Sequence, residues 1–324
     1  MLAAVVTRFG NPDVFALTDL PDPQPGPGQI SINVSHAAVG LIDAYVRQGL
    51  YSERPGLPQP PYVPGLEVTG TVRAIGEGVT GLRVGEPVLT LSGTGAEGGY
   101  ASIEVVDAAM AVSLDGSHID PALAVAAVPN AATAYLALTE VAHLRKNERV
   151  LVHGAIGGLA SAFPGMARLL GASEVVGTVL TADLDAARAS GLPYDEILAS
   201  GDDLGAARFD VVVDPVGGDV RTASLTAMAP MGRMLLVGNA SGDWTHTVNT
   251  SQLWGGNLAL LGFAAGFFLP AHPELAGTAG AAALEAAKRG LLPLNVTTLP
   301  LSQAAEAHRR LEAGSVRGRI VLTV

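Results

Sequence analysis

From Arg149 onward the chain repeats one pattern: a short, almost wholly apolar run, a turn rich in glycine, and a stretch compatible with helix. The runs are RVLVHG, EVVGTV, DEILAS, FDVVVD, GRMLLVG and LALLGF, and segments such as AFPGMARLLGA and RTASLTAMAP stand between most of them. Strands that are apolar throughout, without alternation, are strands covered on both faces, and strands alternating with helices build parallel sheets. The region therefore predicts a doubly wound α/β fold around a six-stranded parallel sheet. Ligands of such sheets gather at the carboxyl ends of the strands.

The first third reads differently. MLAAVVTRF and the alternating run from Ile30 to Val34 are strand patterns set off by Pro and Gly. VTGTVRAIGEGVTGLRVGEPVLTL places β-branched residues between glycine turns, as in a strand, a tight turn and a second strand of a small barrel. From Pro121 to Leu144 alanine and leucine take over, which predicts helices leaving this β-rich module. The tail mixes an Ala-rich helix near 279–289, a strand at NVTTLPL, a helix at SQAAEAHRRLEAG and a final strand, GRIVLTV. Such a tail can complete the first module, so the expected division is 1–123 with 264–324 in one domain and 124–263 in the other.

Two domains also suit 324 residues that are 48% hydrophobic. A formal net charge of −11 offers a phosphate backbone no general attraction, so no nucleic-acid partner is expected. Without cysteine the chain has no disulfide, thiolate metal ligand or cysteine nucleophile, which fits a reducing cytoplasm as its expected location. The start lacks a basic flank followed by an apolar core, so no signal peptide is read. The apolar runs at 258–269 and 279–287 are broken by Gly and Pro and fall short of the roughly 20 residues a spanning helix needs, so no membrane span is expected.

The most specific local motif follows the first of the parallel strands: Gly154, Ala155, Ile156, Gly157, Gly158 and Leu159, then Ala160 and a helix. Glycines there let backbone N–H groups approach a pyrophosphate at the positive end of a helix. The other reading is a strand-to-helix turn with a purely structural role. The seven histidines show no close i, i+4 pair and read as structural.

VLVHGAIGGLAS resembles the VLVHGAAGGVGS turn of the zinc-free quinone oxidoreductase branch of the medium-chain dehydrogenase/reductase superfamily, and NAATAYLAL resembles the helix before it in that family. FDVVVDPVGG, GRMLLVG, NLALLGFAAG and SQAAEAHRRLEAGSVRGRIVLTV resemble further family segments in family order, and GQISINVSHAAVGLIDAYVRQGLY resembles the mouth of its substrate site. The resemblance covers nearly the whole chain. It implies a Rossmann sheet plus a β-rich GroES-like barrel domain, a nicotinamide cofactor, and a homodimer. The implied reaction is hydride transfer to a quinone or α,β-unsaturated carbonyl compound, a small apolar or planar carbonyl substrate.

Carried over residue by residue, the resemblance puts Thr133 near the nicotinamide, with a packed or capping hydroxyl as the other reading. It puts Gly154, Ala155, Ile156, Gly157, Gly158 and Leu159 on the pyrophosphate. Gly238 and Asn239 follow the fifth strand at its carboxyl end, and Phe263, Ala264 and Gly266 follow the sixth, where relatives meet the carboxamide. The tip of the second strand carries no acid for the ribose hydroxyls, and Leu184 stands where NADPH-using relatives have Lys. Thr178, Thr181 and Arg188 are left to receive a 2′-phosphate, which puts NADPH ahead of NADH; Arg188 reads equally as a solvated helix charge. Arg317 and Arg319 face a phosphate or form a solvated pair. Three departures bear on affinity: Ala160 in place of the last glycine, Pro164 without an N–H in the first helical turns, and Leu41 where relatives carry Asn.

Zinc-dependent relatives hold their metal with a His after a Gly, whereas Pro64, Gly65, Leu66 and Glu67 put Leu in that place and no Cys exists. No metal is expected, and hydride addition to an activated alkene or quinone requires none. The protein then supplies orientation and a hydrogen-bond donor for the developing enolate. Tyr45 and Tyr51 are the candidate donors, beside Asp43 and Arg47, with an aromatic pocket wall as the other reading. Ser52 to Tyr62, with Pro55, Pro58, Pro60 and Pro61, reads as a stiff loop over the pocket, and GFFLPAHP as an apolar wall or a subunit interface. Two other functions suit the scaffold: a cyclisation, elimination or isomerisation without redox chemistry, motivated by the departures at Ala160, Pro164, Leu41 and Leu184, and a non-catalytic sensor of a small apolar ligand.

Overall fold

The computed structural model describes residues 1–53, 56–91, 98–202, 204 and 208–324. Pro55 of the proline-rich stretch lies outside them. The chain divides into two units, the first made of Met1–Pro129, Ala265–Leu284 and Leu294–Val324, the second of Asn130–Ala264 and Glu285–Pro293. Two differences from the sequence expectation follow. The first boundary falls inside the helix Pro121–Leu136, and Glu285–Pro293 returns to the second unit. Gly165 shows why: a Cβ there would stand 2.2 Å from the Leu291 carbonyl oxygen, so this returning segment lies directly on the helix Phe163–Leu169.

The first unit opens with β1 (Leu2–Val6), β2 (Phe15–Asp19), β3 (Gln29–Val39), β4 (Val68–Ile75), β5 (Pro87–Thr90), β6 (Ile103–Asp107) and β7 (Ala111–Ser113). β1 and β2 pair antiparallel by themselves. The second unit carries β8 (Arg149–His153), β9 (Glu174–Val179), β10 (Glu196–Ala199), β11 (Phe209–Asp214), β12 (Met228–Leu236) and β13 (Ala259–Gly262). The chain then returns to the first unit with β14 (Val296–Pro300) and β15 (Arg319–Thr323). These complete a sheet in the order β14-β15-β3-β4-β5-β7, with β6 also on β3, so the tail does close the first module. β3 is its spine, antiparallel to β15, β4 and β6. β4 crosses it so closely that a Cβ on Gly70 would stand 2.1 Å from the Asn33 carbonyl oxygen, and glycine is required there.

The second sheet runs β10-β9-β8-β11-β12-β13, every pairing parallel, which is the 3-2-1-4-5-6 order of a doubly wound dinucleotide fold. The chain reverses direction of winding between β8 and β11, and the strand ends there form the expected ligand crevice. Leu151, Val176, Phe209, Val212 and Met234 pack one core of this unit, which explains the unbroken apolar runs. One element differs from the reading of RTASLTAMAP as helix. The helix stops at Ser224, a short turn follows, and β12 begins at Met228; the three residues from Phe209 to Val211 on β11 then oppose the six from Met228 to Arg233 on β12, and the excess bulges out around Met231, whose φ is +66°.

Pro121–Val141 is long and apolar enough to cross a membrane, a property the sequence reading passed over. Most of it is buried inside the protein, as in a core helix.

Candidate active site

β8 delivers the chain into the glycine turn. Gly154 takes the left-handed conformation at φ +60°, the Ala155 N–H donates to Thr178 O at 2.9 Å, and the Gly157 N–H donates back to Gly154 O at 2.7 Å. Among the described residues, the N–H groups of Ile156, Gly158 and Leu159 have no backbone acceptor. A row of such donors at a strand-to-helix turn is a seat for an anion. The Asn130 amide, from the helix Pro121–Leu136, donates to Gly158 O at 2.9 Å and ties the turn to that helix; the sequence reading missed it. Thr133 lies three residues on, on the same helical face, with its side chain buried.

The departures at Ala160 and Pro164 are absorbed. Ala160 is buried in a 3₁₀ turn, Ala160–Ala162, ahead of the helix, and Pro164 sits in the first turn of Phe163–Leu169, an early position that tolerates proline. Close approach is achieved at Gly177 instead, where a Cβ would stand 2.7 Å from the Ala155 Cβ. Leu184 packs with Ala155, Val179, Ala187 and Ile197, so it belongs to the core beneath the turn.

Thr178 must be withdrawn from the 2′-phosphate set. Its hydroxyl is buried against His153 Nδ1 at 2.7 Å, and His153 Nε2 meets Ser224 Oγ at 2.7 Å. Ser224 spends its proton on Val220 O, so Nε2–H donates to Ser224 and Nδ1 accepts from Thr178. Burial pushes His153 down to about 4, against the opposing charge of Asp214. Thr181 and Arg188 are exposed, and Arg188 makes a long bond to Ile197 O at 3.4 Å.

At the ends of β11 and β12, Asp214 is fully buried and accepts from the amides of Val216 (2.9 Å) and Gly217 (2.7 Å) and from Arg221 Nε (2.6 Å). Arg221 also reaches Gly238 O at 3.2 Å, so one ion pair fixes both strand ends. Gly217 leaves the space that the Asn239 amide fills, and Asn239 Nδ2 is buried with no hydrogen-bond partner among the described residues. An orphaned amide donor at the end of β12 suits a polar ligand. Phe263 and Ala264 follow β13 directly, with the Phe263 N–H given to Leu236 O at 3.0 Å, and Gly266 lies in the first turn of Ala265–Ala271.

In the first unit, the helix Leu41–Gln48 is inverted. Its charged residues point inward, Asp43 at 1% and Arg47 at 0% exposure, while Leu41 (46%) and Ile42 (38%) face outward, followed by Leu50 (59%). Arg47 donates to Gly10 O, to Glu312 and, through Nε, to His308 Nδ1 at 3.3 Å. Because arginine only donates, His308 carries its proton on Nε2 and gives it to the Tyr100 hydroxyl (3.3 Å), which donates to Asp43 Oδ2 (3.4 Å). Burial, reinforced by the Arg47 charge, pushes His308 down to about 3. Burial pushes Asp43 up to about 7, partly opposed by the Gly40 N–H at 2.8 Å. Among the described residues, Asp43 Oδ1 and the Tyr62 hydroxyl are buried without a hydrogen-bond partner. The signal in the sequence was the i, i+4 pair Asp43 and Arg47 on the face opposite Leu41, Ile42 and Tyr45.

Tyr45 and Tyr51 are partly exposed and meet edge to face, with ring centroids 6.1 Å apart at 85°. Arg319 is not a phosphate ligand: it is buried on β15 and pairs with the buried Glu67 at 2.9 Å. The structure thus assembles a nucleotide-type turn in one unit and a tyrosine pair backed by a buried polar chain in the other.

The family models for the alcohol dehydrogenase GroES-like domain and for zinc-binding dehydrogenase match residues 26–116 and 170–322. A quinone oxidoreductase from Lama guanicoe is 30% identical over 99% of this chain and 97% of its own length. The chain belongs to the quinone oxidoreductase-like medium-chain dehydrogenase/reductase family. A 2-haloacrylate reductase from Burkholderia sp. is 29% identical over 99% of this chain and 98% of its own length. A mycobacterial protein solved in complex with NADPH is 30% identical, covers 100% of both chains and superposes with a TM-score of 0.86. In this oxidoreductase Leu66 is buried, and among the described residues no three His, Asp or Glu side chains are grouped to hold a metal ion.

Proposed function

We propose that the chain is a zinc-independent, NAD(P)H-dependent reductase of quinones or α,β-unsaturated carbonyl compounds. The observation that carries this reading is the turn from Gly154 to Leu159: a left-handed glycine at a topological switch point, followed by three amides with no backbone acceptor among the described residues. The NADPH-bound mycobacterial relative and the reductases named above support it. When bound, the nicotinamide supplies a hydride. Ile156, Gly158 and Leu159 hold the pyrophosphate through their amides, Asn239 Nδ2 is a donor free among the described residues to meet the nucleotide, and Thr133, Gly238, Phe263 and Ala264 border the ribose and nicotinamide. Thr181 and Arg188 receive the 2′-phosphate, and NADPH is preferred to NADH because no acid stands at the tip of β9.

The substrate side is apolar. Leu41, Ile42 and Leu50 are exposed, which selects a small planar or apolar carbonyl compound. Tyr45, with Tyr51 against its ring, donates a hydrogen bond to the carbonyl oxygen as it gains charge. The buried chain from Arg47 to Asp43 holds the Tyr45 helix in register. Tyr45→Phe is expected to lower kcat for NADPH-dependent reduction of an enone about a hundred-fold while leaving KM for NADPH unchanged. Consumption of NADPH with and without 1,4-benzoquinone or an enone measures this, and a loss of only two-fold would reduce Tyr45 to a pocket wall.

A homodimer is part of the same proposal. β13 is one of the two edges of the parallel sheet; the exposed Trp254 (85%) lies on the helix that leads into it, and the exposed Met231 (72%) donates its N–H to Asn257 O just before it. A cytoplasmic location accords with the absence of cysteine.

A further inference from the structure

We propose that Asn130 is the positioning residue of the glycine turn, aiming the Gly158 and Leu159 amides at the pyrophosphate; the inference rests on the nicotinamide reading above. Asn130 stands inside a long Ala-rich helix, where asparagine contributes nothing to helix stability. Its side chain is spent on one atom. Nδ2 donates to Gly158 O at 2.9 Å, and Ser161 Oγ donates to the same oxygen at 3.1 Å, so both lone pairs of that carbonyl are taken by side chains.

A trans peptide is planar, with its C=O and N–H pointing in opposite directions. Pinning Gly158 O toward Asn130 therefore turns the Leu159 N–H directly away from it. The same geometry holds one residue earlier, where Gly157 O accepts the Ser161 N–H at 2.9 Å and the Gly158 N–H is turned out in the same way. These are two of the three amides without a backbone acceptor among the described residues. Glycine imposes no preference of its own on this peptide. If the Gly158–Leu159 peptide flipped, a carbonyl dipole would replace a donor in front of the anion. Asn130 prevents the flip from outside the turn, so its effect falls on the pyrophosphate and on no other part of the nucleotide.

Asn130→Asp tests this, because the variant keeps the size of the side chain and loses the donor. Calorimetric titration of the full-length protein should show Kd for NADPH, NADH and ADP-ribose all raised about ten-fold, the value of one hydrogen bond to a charged group. ADP-ribose carries the pyrophosphate without the nicotinamide, so an equal loss places the defect. At saturating NADPH, kcat and KM for the carbonyl substrate should stay within about two-fold of the parent values. Ser161→Ala, which removes the other donor, should raise the same three dissociation constants by a smaller factor and serves if Asn130→Asp does not fold. Unchanged affinity in the folded variants would overturn the assignment, as would a loss for NADPH that ADP-ribose does not share. If the parent protein binds none of the three, the nicotinamide reading itself fails and the inference falls with it.

Discussion

Acidification from pH 7 to pH 4 will cost this protein stability, and His153→Asn will remove about 3 kcal/mol of that cost. His153 closes β8 with both ring nitrogens engaged by buried hydroxyls: Nε2–H already donates to Ser224, so a second proton, on Nδ1, would displace the one Thr178 donates there and place a charge in a buried site. The folded value of about 4 lies below the ordinary histidine value of 6.5. Stability is therefore whole above pH 6.5 and is lost as the pH falls toward 4, because the unfolded chain takes up the proton first. His308, pushed down to about 3, acts in the same sense. Asp43 acts in the opposite sense: its folded value of about 7 exceeds the ordinary carboxyl value, so its contribution is present at low pH and lost as the pH rises toward 7. Comparing urea midpoints of the parent and His153→Asn at pH 7, 5.5 and 4 cancels those two groups. The two curves should converge on acidification; parallel curves would show that His153 is not held neutral.

Arg47→Ala is expected to cost about 3–5 kcal/mol, the penalty for leaving buried partners unpaired. The guanidinium is fully buried, and three groups depend on it: Gly10 O, His308 Nδ1 and Glu312. Glu312 is partly exposed and can turn to water, so Glu312→Ala should cost much less, on the order of 1 kcal/mol. Denaturant unfolding of both variants measures the difference. Equal, small losses would mean that the inverted helix is held by its packing alone.

How much of this was legible in the sequence depended on whether local pattern or side-chain direction decided the matter. The six strands of the parallel sheet announced themselves, because strands covered on both faces must be continuously apolar and glycines mark their ends. The start of β12 did not, since a bulge at Met231 looks like a turn. Glu285–Pro293 joined the second unit through a backbone contact at Gly165 that no period encodes. In the site, the glycine turn was readable as spacing, but the direction of polar side chains was not. Thr178 and Arg319 stand at plausible positions for a phosphate and are instead turned into buried pairs with His153 and Glu67. Asn130 was hidden for the reverse reason: an asparagine in a helix declares nothing until the carbonyl it reaches is known.

Titrating the full-length protein with NADPH and NADH, following nicotinamide fluorescence and the thermal midpoint together, tests the account most directly, because a ligand of the folded state must raise its apparent stability. Saturable binding at micromolar concentration, tighter for NADPH than for NADH, with a matching rise in Tm, is the expected result. No binding of either nucleotide at millimolar concentration would contradict it.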